Sequence, residues 1–261
     1  MTATAEVSRP LKRNAAGWYE HPTRAIELPS FHKIKEALAA PGLAKWDKGC
    51  SIEFLVDMGP ELRDTLEREE LIELATGASW RKSSPARKTG TAAHKVIERL
   101  VRGEKVTRTD ENGWVLDVWQ AFVDEFAVEV VETEAVVWNE KVGYAGRADL
   151  LLSLKIDGRR QLSMFDAKTG ASGIWPETVL QTTAYAMAPT ILRPDGTEED
   201  MPEIDSCAAL WIRPEGFAVR PLQFDRDTRT AVRALAALWR WDYQISRGSV
   251  RPAINKTPIT R

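Results

Sequence analysis

The segment MFDAKTG, residues 164–170, ends an apolar run with Asp-Ala-Lys, followed directly by Thr-Gly. In an extended strand, residues two positions apart point to the same face, so Asp166 and Lys168 project side by side. Phe165 and Ala167 face the other way. Two interpretations are open here. The charges either end a buried strand and face water, or they form a carboxylate and lysine pair that acts in a site.

A second acid begins the preceding apolar run. In GYAGRADLLLSL, residues 143–154, Asp149 stands at the head of a strand that a hairpin through KIDGRR would pair with the strand of Asp166. Two carboxylates on paired strands can converge on one hard cation, whereas a buried acid pair without a cation would repel. The consecutive apolar residues of DLLLSL predict a central strand that is covered on both faces.

Around these strands, the hydrophobic pattern predicts helices before residue 128 and alternating strands and helices after it. The first helix is capped near Ser30 and broken at Pro41-Gly42, and the basic segment WRKSSPARK (80–88) is predicted to be a loop. Predicted helices cover residues 28–58, 59–77, 89–103, 114–127, 176–191 and 225–246, and predicted strands cover residues 128–138, 143–154, 161–169, 205–214 and 216–224. This order predicts an α/β domain.

Composition restricts the classes of protein that fit. The chain has 261 residues, of which 43% are hydrophobic, enough for one large domain or a domain with an added helical lobe. With 36 basic against 38 acidic residues and a net charge of -2, it is not a globally basic nucleic-acid coat. A nucleic-acid role would need locally clustered charge, as in WRKSSPARK.

The cysteine content indicates a reducing compartment, and the hydropathy pattern indicates a protein that is neither secreted nor inserted in a membrane. Cys50 and Cys207 are the two cysteines of the sequence, so the chain builds neither a disulfide framework nor a four-cysteine zinc or iron–sulfur site. Its first residues lack an apolar signal region, and no run of about 18 apolar residues occurs. We therefore expect a cytoplasmic protein without a membrane partner.

Four short motifs occur in a definite order: GTAAHKVIE, GYAGRADLL, FDAKTG and QTTAY. Their order and spacing resemble the RecB-like branch of the PD-(D/E)xK nuclease superfamily, over about residues 89–190. LPSFHKI more weakly resembles the opening of many phage-encoded members. The resemblance implies a restriction-endonuclease-like α/β core at residues 89–261, with a mixed β-sheet flanked by helices. Residues 1–88 would form an N-terminal segment and helical lobe packed on that core.

The resemblance also implies a metal site. His94 would be a ligand from a helix, Asp149 and Asp166 would be acidic ligands, and the carbonyl of Ala167 would be a further ligand. Oxygen ligands suit Mg²⁺, and an imidazole nitrogen makes Mn²⁺ an equal candidate. A four-cysteine iron–sulfur cluster, which some members of the branch need, is not expected here because the chain has two cysteines.

Further roles follow from the same resemblance. Lys168 would orient or activate the attacking water and stabilise charge on the phosphate. Gln181 and Tyr185, one helical turn apart, would support the site or contact DNA. Glu98 and Glu134 are nearby acids whose contact with the metal is left open.

The expected function is that of a metal-dependent DNA nuclease acting in recombination, repair or replication, and encoded by a phage. An exonuclease is favoured over an endonuclease by the resemblance alone. A recombination or single-strand annealing protein as partner, and an oligomer such as a ring, are left open.

Two alternatives remain. One is a catalytically silent DNA-binding or assembly module with the same fold, although the presence of Asp149, Asp166 and Lys168 counts against it. The other is a structural or inhibitory protein that uses the helical lobe as a partner surface. Metal binding by the carboxylates discriminates between these alternatives and the nuclease.

Overall fold

The structure is a computed structural model that describes residues 11, 13–38, 41–170 and 173–251. The ends of both predicted domains, residues 1–10 and 252–261, lie outside the described residues. The strands are β1 (Trp18–Glu20), β2 (Glu27–Pro29), β3 (Glu129–Asn139), β4 (Tyr144–Ile156), β5 (Arg159–Lys168), β6 (Thr190–Leu192), β7 (Glu198–Asp200), β8 (Ser206–Arg213) and β9 (Gly216–Leu222). The helices are α1 (Phe31–Lys35), α2 (Pro41–Asp57), α3 (Pro60–Arg63), α4 (Arg68–Thr76), α5 (Ala78–Val101), α6 (Gly113–Phe126), α7 (Glu177–Ala186) and α8 (Arg226–Arg240).

Seven strands form one sheet in the order β7-β6-β3-β4-β5-β8-β9, and β1 pairs with β2 separately. Strands β5 and β8 run parallel, and the chain passes from one to the other through α7, β6 and β7. The other neighbouring strands of the large sheet are antiparallel. The result is a mixed α/β fold with a mainly antiparallel sheet flanked by helices. The predicted three strands, helix, two strands and helix are present in that order, and two short strands that were not predicted, β6 and β7, lie between α7 and β8.

Strand β4 lies between β3 and β5 and has a hydrophobic core on each face. Leu150, Leu152 and Leu154 are buried in the core on the α5 and α6 side. Leu151 is buried on the opposite side, in a core that includes residues of α1, α7 and α8. The prediction that DLLLSL forms a central strand is therefore confirmed.

Two predictions for residues 59–88 are wrong. Residues 80–88, predicted as a loop, belong to α5, whose first half packs against α2 through the Lys82–Glu53 ion pair (2.7 Å) and the ring of Phe54 beneath Arg81. These tertiary contacts outweigh the loop signal of Ser-Ser-Pro. The predicted boundary between lobe and core therefore lies within α5. Residues 59–77 form two short helices instead of one, and the second begins with a capping box at Glu67.

The segment after α7 also differs from the prediction. The helix predicted over 176–191 ends at Ala186, because Pro189 cannot continue it. Residues 190–192 instead form β6 and extend the sheet beside β3. Strands β6 and β7, like β1 and β2, have three residues each, which is too short for a periodicity signal.

None of the helices in the described part of the chain is long and apolar enough to cross a membrane.

Phe122 of α6 should be a main source of stability. It is fully buried, with its ring 6.0 Å from that of Phe165 and 5.6 Å from that of Phe217. We expect Phe122→Ala to lower the free energy of unfolding by about 3–5 kcal/mol in urea denaturation, because it leaves a cavity between helix and sheet. Val131→Ala, at an exposed position of β3, should change it by about 0.5 kcal/mol or less. Equal losses in the two variants would contradict this account.

Candidate functional site

Three acidic residues lie in a row across neighbouring strands. The pairs Thr133–Leu150 and Ala135–Ala148 place Glu134 of β3 opposite Asp149 of β4. The Leu150–Phe165 pair places Asp149 opposite Asp166 of β5. Residues directly opposite each other in antiparallel strands share a face of the sheet, so the register alone brings these acids together.

The backbone at Glu134 is unusual. Its φ angle is +53°, in the left-handed region that a residue with a side chain seldom adopts inside a strand. The pairing of β3 with β4 also shifts register between Val130 and Glu132. Such a conformation costs on the order of 1–3 kcal/mol and is found most often where a site needs it.

Asp166 is the most deeply buried acid of the site, with 2% of its surface exposed. Its Oδ1 accepts a hydrogen bond from Nε2 of Gln181 in α7 (2.9 Å), and its Oδ2 contacts the ammonium of Lys168. Burial raises the pKa of Asp166, the neighbouring Asp149 raises it further, and Lys168 opposes both effects. The contact with Lys168 agrees with the prediction that Asp166 and Lys168 project side by side.

Asp149 is held by hydrogen bonds from both neighbouring strands. Its Oδ2 accepts a hydrogen bond from the amide of Ala167 (2.9 Å), and its carbonyl accepts one from Thr133 Oγ1 (3.1 Å). Within the described residues, Oδ1 of Asp149 accepts no hydrogen bond. This oxygen is therefore available to a ligand.

Glu134 has a strongly perturbed acidity. Burial raises its pKa to about 7, with Asp149 and Glu98 adding to the effect. Arg147 opposes it through an ion pair of 2.6 Å between its Nε and Oε2 of Glu134. Glu98 of α5 is itself paired with Arg102 at 2.6 Å. Glu134, which the sequence motifs left without a role, thus lies electrostatically close to Asp149.

Tyr185 packs against β4 at the back of the site. A Cβ atom on Gly146 would lie 2.2 Å from Cε1 of Tyr185, so the ring occupies the space that the glycine leaves open. Burial raises the pKa of Tyr185 well above its usual value, and Asp149 and Asp166 raise it further. Gln181 and Tyr185 therefore lie beside the carboxylates, one by a hydrogen bond and the other by proximity.

The predicted metal ligands are only partly brought together. His94 lies half-buried in α5 between the buried Ala93 and Ile97, and among the described residues it bonds to neither Asp149 nor Asp166. No three His, Cys, Asp or Glu side chains of the described chain are grouped as a complete ligand set. The ligand roles of His94 and of the Ala167 carbonyl stay predictions.

The structure adds cations that the motifs did not identify. Lys35, at the end of α1, donates a hydrogen bond to Oε1 of Gln181. Burial lowers the pKa of His32, with smaller contributions from the nearby charges of Lys35, Arg13 and Lys168. Arg13 and His32 therefore lie near Lys168, and we call these two residues the basic rim. The segment LPSFHKI contains His32 but not Arg13, and neither residue carried a predicted role.

Chemically, the arrangement concentrates negative charge beside fixed positive charge. Buried carboxylates that share a face favour a divalent cation, which would relieve their repulsion. A lysine next to them can contact a phosphate oxygen or a water molecule.

Comparisons with known proteins give little further identification. No protein-family model and no curated protein matches the chain. Among solved structures, it is similar to an alkaline exonuclease from Laribacter hongkongensis, with 11% sequence identity and a TM-score of 0.35, over 57% of this chain and 76% of the exonuclease. It is also similar to SSO0001, with 16% identity and a TM-score of 0.32, over 78% of this chain and 88% of that protein. Similarities at these TM-scores assign neither a family nor a function.

The acidity of Glu134 leads to a prediction for stability in EDTA. Because its folded pKa of about 7 exceeds the ordinary 4.5, its contribution to stability falls as pH rises from about 4.5 to about 7. Glu134→Gln should therefore be more stable than wild type at pH 8, by about 1–3 kcal/mol in urea denaturation. The difference should vanish near pH 4, where the carboxyl is protonated in both states.

Glu129→Gln is the matched control, since Glu129 is an exposed residue at the start of the same strand. It should show no such dependence on pH. A difference between Glu134→Gln and wild type that stays constant from pH 4 to pH 8 would contradict the burial of this charge.

Proposed function

We propose that the protein is a metal-dependent DNA nuclease with the PD-(D/E)xK core of the RecB-like branch. The observation that carries the proposal is the convergence of Asp149 and Asp166 on adjacent strands, with Lys168 in contact with Asp166. These are the residues to which the motif resemblance gives the chemical step. Gln181, from the fourth motif, bonds to the same carboxylate.

The donor atoms fit a hard divalent cation such as Mg²⁺ or Mn²⁺. Asp149 offers Oδ1, and the buried Asp166 lies opposite it. Mg²⁺ commonly binds one or two carboxylates and completes its shell with water and substrate phosphate oxygens, so two acids suffice as protein ligands. When bound, the cation would supply a water that is nucleophilic near neutral pH and would neutralise charge on the phosphate.

The protein's own residues have separate roles in binding the cation and stabilising charge. Asp149 and Asp166 would hold the cation, and the hydrogen bonds from Ala167 and Gln181 fix the direction of each carboxylate. Lys168, which is partly exposed, can turn its ammonium from Asp166 to the attacking water or to a phosphate oxygen that gains charge. Because lysine is a compact charge on a flexible stem, it suits this exchange of partners.

The basic rim gives the DNA backbone a place beside these residues. Arg13 and His32 lie near Lys168, although the whole chain has a net charge of -2. Positive charge next to a carboxylate site is what a substrate of linked phosphates requires. DNA is therefore the proposed substrate.

The finer parts of the proposal rest on the motif resemblance alone. They are exonuclease action, a role in recombination, repair or replication, a phage origin and a location in the cytoplasm of the host. A recombination or single-strand annealing protein as partner belongs to the same group of proposals.

A second function is a silent DNA-binding module of the same fold. One observation favours it: the described side chains contain no grouped set of three metal ligands. Such a module would bind DNA through the basic rim and leave it intact.

The deciding experiment is digestion of end-labelled linear DNA, beside a closed circle of the same sequence, with Mg²⁺, Mn²⁺ or EDTA. We expect metal-dependent loss of the linear DNA only. Lys168→Ala and Asp166→Asn should each lower the rate by about 10²–10⁴-fold, because each removes a group that acts on the reacting atoms. The end from which label is lost first gives the polarity.

Lys155→Ala is the matched control, since Lys155 is an exposed lysine of the adjacent strand β4. It should cut at the wild-type rate. Circular dichroism would verify that Lys168→Ala remains folded, and Lys168→Gln serves as a second variant. Intact DNA under every metal, together with retained DNA binding, would replace the nuclease by the silent module.

A further inference from the structure

Lys35 is a charged residue near the site that none of the four motifs includes. It ends α1, is half-buried, and donates a hydrogen bond to Oε1 of Gln181. Gln181 in turn donates from Nε2 to Oδ1 of Asp166 at 2.9 Å. One continuous chain of hydrogen bonds therefore joins α1, α7 and β5.

The helix that carries Lys35 is firmly held. Phe31 and Ile34 are fully buried, and the ring of Phe31 lies 5.3 Å from that of Tyr144 in β4. The buried Ser30 caps the helix by accepting a hydrogen bond from the amide of Lys33 (3.2 Å) and forms a bridge with Ala145 of β4. Lys35 therefore contacts Gln181 from a helix whose position is fixed by packing.

The chemistry of the three groups allows one orientation of the amide. A lysine ammonium has donors and no acceptor, whereas an ionised carboxylate has acceptors and no donor. A glutamine between them satisfies both only if its oxygen faces the lysine and its nitrogen faces the carboxylate. The reverse orientation would set an oxygen against the Asp166 carboxylate and an NH₂ group against the Lys35 ammonium.

We infer that Lys35 is a positioning residue, which holds Gln181 so that its amide nitrogen faces and fixes the carboxylate of Asp166. Its effect on metal binding and cleavage rests on the proposed function, but the orientation of the amide does not. Lys35 acts through Gln181 and needs no contact with substrate.

Residues in a position of this kind have a typical effect on metal affinity and activity. Partners that orient a metal ligand from outside the coordination shell change metal affinity or activity by about 10–100-fold when they are removed. Desolvation lowers the pKa of Lys35 and the nearby Lys168 lowers it further, while Asp166 and Glu177 oppose both effects.

The first test reads the amide directly by ¹H–¹⁵N NMR of the full chain in EDTA. The side-chain NH₂ signals of Gln181 are those lost in Gln181→Leu. In Lys35→Met, which keeps the length of the side chain but no donor, they should move towards the shifts of exposed amides. In Lys33→Met they should stay, because Lys33 on the same helix bonds instead to the carbonyl of Ala16 (3.0 Å). Unchanged Gln181 signals in Lys35→Met would overturn the inference.

The second test measures coupling between the two side chains. Mn²⁺ affinity without DNA, and kcat and KM for linear DNA, are compared in Lys35→Met, Gln181→Leu and the double variant. We expect each single variant to lose about tenfold or more in Mn²⁺ affinity and in kcat. The double variant should be no worse than either, with KM for DNA unchanged. Thermal melting verifies that the variants are folded, and Lys35→Gln is the second substitution if Lys35→Met is not.

Two other outcomes would overturn the inference, and a third would overturn only the proposed function. If the losses multiply in the double variant, Lys35 acts independently of Gln181. If Lys35→Met raises KM alone, Lys35 contacts a DNA phosphate directly. If wild type cleaves no substrate, the proposed function fails, while the NMR comparison still decides how Gln181 is oriented.

Discussion

Much of the structure depends on the burial of one carboxylate, that of Asp166, beside a second acid. A buried carboxylate is costly unless it is paired and hydrogen-bonded, and Asp149 adds repulsion to that cost. Gln181 supplies a hydrogen bond from α7, and Lys168 supplies a charge from the same strand. The docking of α7 on β5, which brings the chain back for the parallel strand β8, is therefore tied to the satisfaction of this acid.

The regular backbone conformation of the sheet is interrupted at the same place. Glu134 has a left-handed backbone opposite Asp149, inside a strand that pairs with β4 along its length and with β6 at residues 136–138. Regular pairing elsewhere in β3 and β4 supplies the stability that offsets this local strain. Charge and strain thus coincide at one row of the sheet, which is the pattern expected of a site that was shaped for a ligand.

The parts that could be predicted from the sequence are those with local causes. The apolar run after Asp149 forms the central strand β4, and Ser30 caps α1, because each signal lies within a few residues of its effect. Residues 80–88 were predicted wrongly because packing on α2 sustains the helix through a loop-like composition. The contact of Lys35 with Gln181 joins residues 146 positions apart. A hydrophobic pattern within one segment does not indicate which distant residue that segment contacts.

That contact also bears on how the chain is organised. The sequence groups α1 with the helical lobe, yet Phe31 and Ile34 belong to the same hydrophobic core as Tyr144, Ala184 and Trp239. Separating this segment from the sheet would expose that core and remove the donor that orients Gln181. The N-terminal segment is thus part of the candidate site in a physical sense, because the carboxylate of Asp166 is held by a hydrogen-bond chain that begins there.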